Sequence, residues 1–106
     1  MESLIQGDNK PIKIEFDEPL VNIEQFSAIL SYESHEYKKW NESDIVISGN
    51  TISLPLTQKE TMSIGARYSD LEIKFLANGD IEFFDIIRFQ IISRKDKRIF
   101  ATGGES

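Results

Sequence analysis

The stretch Asp44-Ile45-Val46-Ile47-Ser48-Gly49-Asn50-Thr51-Ile52-Ser53-Leu54 decides the fold class. Gly49-Asn50 readily takes the positive φ that a two-residue hairpin loop requires. The flanking runs, Asp44–Ser48 and Thr51–Leu54, carry the β-branched residues that suit a pleated surface. Two short strands joined by such a loop are antiparallel, and the rest of the chain follows the same period of two.

Upstream, Ile12, Ile14 and Phe16 alternate with Lys13, Glu15 and Asp17, which is the pattern of a half-buried strand. Pro11 and Pro19 bound it, because proline cannot donate to a ladder. In Phe26–Tyr32, Phe26, Ala28, Leu30 and Tyr32 share one side. Ser27 and Ser31 take the other with Ile29, an apolar residue on a face that should be wet. Glu36–Trp40 follows through the polar turn Glu33-Ser34-His35. Downstream, Leu71, Ile73 and Phe75 alternate with Glu72 and Lys74, and Asn78-Gly79-Asp80 turns the chain into Ile81–Phe84.

One helix interrupts the strands. Thr57-Gln58-Lys59-Glu60 has the form of a capping box, and Gly65 suits the stop through a left-handed φ. One or two turns are expected across 57–64, crossing from one sheet to another. The run Ile81–Ser93 has apolar residues on both faces. It is a strand covered on both sides, a strand with a bulge near Asp85, or one whose outer face a partner buries.

About seven short strands without βαβ alternation predict an all-β fold, an antiparallel β-sandwich of immunoglobulin-like shape. A small closed barrel is the alternative. With 106 residues, one domain is expected over 10–100, with a flexible N-terminal arm over 1–9 and a disordered tail over 101–106.

Eighteen acidic residues against twelve basic ones leave a formal charge of −6, which disfavours nucleic-acid binding. The acids concentrate in the first half. Arg94-Lys95-Asp96-Lys97-Arg98 gathers base near the end, a run that ordinarily solvates a face but could attract the acidic body of another copy. No segment approaches the roughly 20 apolar residues of a membrane helix, and Met1–Gly7 lacks the signature of a signal peptide. The expectation is a chain made and kept in the cytoplasm unless an assembly carries it out, with no membrane partner.

Candidate chemistry is sparse. With no cysteine, disulfides, thiolate nucleophiles and thiolate metal sites drop out. His35 is alone in a polar turn and reads as solvated. The hydroxyls have no second member of a triad, and Asp17–Glu18 and Asp80–Glu82 lack the apolar setting that would split two carboxyl pKa values. Asn78-Gly79-Asp80 lacks calcium-loop spacing. No catalytic residue, cofactor or metal is expected, and the chain reads as a non-enzyme.

The aromatic and apolar residues say more. Phe16, Phe26, Phe75 and Phe83 fall on core-facing parities. Trp40 is read first as a core plug with its indole N–H at the rim, and alternatively, with Tyr37 and Tyr32, as a ligand platform. Ile29, Phe84, Ile86 and Ile92 are the candidate interface residues of an apolar outer patch.

The order of these features resembles a known group. Ile5-Gln6-Gly7-Asp8-Asn9 leads into Pro11-Ile12-Lys13-Ile14-Glu15-Phe16. Trp40 and Asp44-Ile45-Val46-Ile47 precede Leu56-Thr57-Gln58-Lys59-Glu60-Thr61. Leu71-Glu72-Ile73-Lys74-Phe75, the Asn78-Gly79-Asp80 turn and Arg94-Lys95-Asp96 close the series. Over 5–97 the chain resembles small proteins found among the tail and baseplate genes of tailed bacteriophages and prophages. In these, a Leu-Thr-Gln-x-Glu segment separates two β-halves. The resemblance implies a β-sandwich virion component that transfers no catalytic residue. It implies a non-enzymatic structural or adaptor module whose partners are other phage structural proteins or further copies of itself. Its location would be the host cytoplasm during assembly and then the tail. The alternative function is a carbohydrate- or host-surface-binding module that stacks sugars on Trp40, Tyr37 and Tyr32.

Overall fold

The computed structural model describes residues 2–100. Within them the strands are β1 (Glu2–Ile5), β2 (Ile12–Glu15), β3 (Ile23–Tyr32), β4 (His35–Asn41), β5 (Val46–Ser48), β6 (Thr51–Leu54), β7 (Tyr68–Ala77) and β8 (Asp80–Ile92). Between β6 and β7 lies one short helix, α1 (Gln58–Met62). The strands form a five-stranded sheet in the order β1-β8-β7-β3-β4 and a three-stranded sheet in the order β2-β6-β5. All pairings are antiparallel except that of β1 with β8. The all-β expectation holds. Both sheets end in unpaired strands, so the barrel alternative does not form. The tail expected over 101–106 lies outside the described residues.

The turns follow from residue chemistry. Gly49 takes φ 61°, at the position where a type II′ hairpin loop needs glycine. Asn78 and Gly79 take φ 54° and 82°, the pair of positive values that a type I′ loop needs. They join β7 to β8 with Ala77 opposite Asp80.

One core lies between the sheets. Ile12, Ile14, Ile52 and Leu54 supply it from the small sheet. Phe26, Ala28, Leu30, Trp40, Leu71, Ile73, Phe89 and Ile91 supply it from the large one. Each fully buried aliphatic or aromatic side chain contributes about 1.5–3 kcal/mol relative to exposure. Phe16, just beyond β2, reaches across to Phe75 and Phe84 with edge-on ring contacts at 5.9 and 5.1 Å.

Helix α1 starts as its sequence requires. The Glu60 N–H donates to the Thr57 hydroxyl at 3.1 Å, and the Thr57 N–H donates to the Glu60 carboxylate at 2.9 Å. Its end differs from the expectation. The C-cap is Ser63 with ordinary right-handed φ and ψ, and no left-handed glycine is used. The Ser63 hydroxyl donates to the Glu60 carbonyl at 2.7 Å and satisfies the last turn locally. As expected, the helix carries the chain from the small sheet to the large one.

The N-terminal stretch corrects the expectation of a flexible arm over 1–9. Glu2–Ile5 is a strand lying parallel to Phe89–Ile92, with Leu4 packed against the core. The loop after it is tied to α1 and the turn that follows. The Gln6 side chain donates to the Ile64 carbonyl at 2.9 Å, and the Gly7 N–H donates to the Thr61 hydroxyl at 3.0 Å. The Thr61 hydroxyl in turn donates to the Asp8 carbonyl at 2.8 Å. Four residues are too few to show a period in sequence; it is the edge of β8 that recruits them.

Strand β8 resolves the two-faced run. Leu71 pairs with Ile87 but Ile73 pairs with Phe84, so Asp85 and Ile86 together oppose Glu72 alone. This is the bulge near Asp85 that the sequence allowed, and it changes which side chains point inward. Two expectations are thereby corrected. Phe83, assigned to the core, is 70% exposed, and Phe84, assigned to the outer patch, is half-buried against Phe16.

Candidate functional site

The features that could act on another molecule lie on the outer face of the large sheet and along the cleft between the sheet edges. On β8, Phe83 pairs with Lys74 and Ile81 with Leu76, both on the parity opposite to core residues Ile73 and Phe75. Ile86 follows in the bulge. Ile81, Phe83 and Ile86 are 61%, 70% and 62% exposed. At about 3.3 Å per residue this apolar strip runs roughly 16 Å. Large apolar side chains left together in water mark contact surfaces on small proteins.

Of the four candidate interface residues, only Ile86 belongs to this strip. Ile29 does face outward on β3, but it is half-buried between Lys39 and Glu72. Ile92 is half-buried beside Ile5 of β1, and Phe84 points inward. Ile81 and Phe83 were missed because unbroken alternation from Ile81 sends them to the core. The signal that could have found them was the clash of parity at Asp85.

The proposed ligand platform does not assemble. Trp40 is 1% exposed and its indole N–H donates to the Pro55 carbonyl at 2.8 Å, so neither ring face is open for stacking. Tyr32 and Tyr37 are half-buried. Tyr37 and His35 make an edge-on ring contact, with centroids 4.5 Å apart.

The titratable groups whose pKa values move are members of ion pairs. Burial raises the Glu60 pKa, but hydrogen bonds from Lys38 and the Thr57 backbone and the Lys38 charge outweigh it, and the net shift is downward. The Arg88 guanidinium grips Asp70 at 2.8 and 3.0 Å and lowers its pKa against a smaller effect of burial. The same pair raises that of Arg88, which also lies over the Tyr68 ring at 5.5 Å. Asp96 and Arg98 form a local pair of the same kind. These are the arrangements of salt bridges, with charges compensated in place. Among the described residues there is no group of three or more His, Cys, Asp or Glu that could hold a metal ion.

A cleft of about 550 Å³ opens between the free edges of the two sheets. Leu4, Ile12, Ile14, Ile87 and Phe89 lie along it, with Lys13 and Glu15 on β2. Among the described residues no helix is long and apolar enough to cross a membrane.

No protein-family model matches the chain, and comparisons with curated proteins and with solved structures find no match.

Proposed function

We propose that this chain is a non-enzymatic structural or adaptor module of a phage or prophage tail or baseplate, acting through protein–protein contacts. The observation that carries the reading is the strip Ile81, Phe83 and Ile86. Three large apolar side chains stand in water on a rigid sheet, where they cost solubility and add nothing to the core. The Arg88–Asp70 pair on the same face supplies charge of both signs beside it, in the way that a polar rim surrounds an apolar contact. The order of sequence motifs over 5–97 points to tail genes as the source of the partner.

The same proposal extends to the fold type. Strands β2, β6 and β5 correspond to B, E and D of an immunoglobulin-like sandwich, and β3, β7 and β8 to C, F and G. Strand β4 lies where variable-type domains place C′. The strand order supports this reading.

The test is co-expression of the tagged full-length chain with the reading frames that flank its gene, followed by mass spectrometry of what is retained. Tail or baseplate proteins should be retained by the native chain and lost with Phe83→Asp. That variant should unfold within about 0.5 kcal/mol of the native chain, as exposed substitutions do. Retention of no virion protein by the native chain would remove the reading, and so would retention unchanged by Phe83→Asp.

A further inference from the structure

We propose that β2 is a self-complementary edge through which two copies of this chain join, antiparallel and centred on Ile14, making one continuous sheet from two three-stranded ones. The proposal is independent of the tail reading and of the strip on β8.

The direction of the backbone comes first. Strand β2 is terminal in its sheet, with β6 on one side only. Just beyond it, the Phe16 N–H donates to the Asn50 carbonyl at 2.8 Å. The Asn50 side chain donates back to the Phe16 carbonyl at 2.8 Å. Phe16 therefore turns its backbone groups toward the β5–β6 hairpin. Along an antiparallel strand these groups alternate sides, so Ile12 and Ile14 turn theirs toward Leu54 and Ile52, their register partners. Lys13 and Glu15 are left with N–H and C=O groups facing the open edge. Such an edge is a template for another strand.

Register then selects the occupant. Only residues whose backbone groups face the edge can form the hydrogen-bonded pairs of a new ladder, so Lys13 and Glu15 must pair with Lys13 or Glu15 of the second copy. Centring on Lys13 sets two ammonium groups opposite each other, and centring on Glu15 sets two carboxylates opposite each other. Centring on Ile14 sets each Lys13 opposite Glu15 of the other copy. Both of these side chains stand on the exposed face of β2, and directly opposite unlike charges stabilise while like charges repel. That register also brings Ile12 opposite Phe16 on the core side, beside the cleft that Ile12 and Ile14 line. It brings Pro11 opposite Asp17, where the missing N–H ends the ladder. The short segment Pro11–Asp17 thus reads as its own complement.

Sedimentation analysis of the full-length chain over a range of concentrations tests this. The native chain should form a dimer that weakens as salt is raised. Lys13→Glu and Glu15→Lys should each raise the dissociation constant by roughly tenfold or more, because each sets like charges opposite each other at two symmetric places. The double variant Lys13→Glu/Glu15→Lys should return it to within about threefold of the native value. Circular dichroism establishes that all three variants keep the fold, as substitutions at exposed side chains should. Phe83→Asp should leave the dimer intact. A native chain that stays monomeric up to about 1 mM overturns the proposal. So does a dimer indifferent to the single changes, a double variant no better than either single, or a dimer abolished by Phe83→Asp. Retention of a foreign strand by a monomeric native chain also overturns it, since the edge would then serve another partner.

Discussion

Trp40 shows how one side chain serves two requirements. Its ring is buried in the core on the strand position beside Ala28 of β3, and its N–H satisfies the carbonyl of Pro55 at 2.8 Å. Replacing it with Phe keeps most of the apolar surface but leaves that carbonyl without its donor. Losing a hydrogen bond costs about 0.5–1.5 kcal/mol and the smaller ring leaves part of a buried site unfilled, so Trp40→Phe should lower the unfolding free energy by about 1–3 kcal/mol. Urea denaturation followed by circular dichroism measures it, since the variant loses the only tryptophan. The reading of Trp40 as a core plug needed only a single large indole at a strand end, of the kind that anchors a small sandwich, with an N–H that seeks a partner. Phe83 and Phe84 could not be assigned in the same way. The two are chemically identical neighbours, and which one points inward depends on an extra residue downstream.

At the level of the element, α1 is the piece most directly encoded by its own sequence. Thr57 and Glu60 close the capping box, and Lys38, reaching from β4, binds the same carboxylate. Glu60 thereby acquires a folded-state pKa below its ordinary 4.5. A carboxyl with a depressed pKa stabilises the fold fully above its unfolded value, and that contribution drains away as pH falls through the folded value. Glu60→Gln keeps a side chain able to close the box and removes the charge. It should cost about 0.5–1 kcal/mol near neutral pH, the worth of a partly exposed ion pair. The gap between native and variant should close as pH drops below 4.5, and paired urea titrations at about pH 7 and about pH 3 would reveal it. A gap that stayed constant with pH would mean that the carboxylate charge does not contribute.

For the whole molecule, the two sheets bury their inner faces in one shared core, so neither has an apolar interior of its own. Loss of either should expose the other, and unfolding should be a single cooperative transition. Leu71→Ala, at a fully buried position of the large sheet, should cost about 2–5 kcal/mol. It should move the Trp40 fluorescence midpoint and the circular dichroism midpoint together. Separate midpoints would show that the small sheet opens on its own. The excess of acidic residues keeps this small body charged in solution. Against that background, the apolar strip on β8 and the unpaired edge of β2 are two departures from a plain surface.

Local chemistry by itself determined the all-β class, the hairpins at Gly49-Asn50 and Asn78-Gly79 and the capped start of α1, whereas the choice of Trp40 between core plug and ligand platform fell to the packing. Alternation, positive-φ residues and caps act within a few positions of one another, so they can be read along the chain. The remainder was decided by contacts between residues far apart in sequence. Leu4 and Ile5 form a strand because the edge of β8 receives them. Phe83 faces water because β8 fits an additional residue against β7, and the β2 edge stands open because no other strand among the described residues pairs with it. Pairing and register are long-range choices among nearly equal local options, and only the packed core breaks the tie.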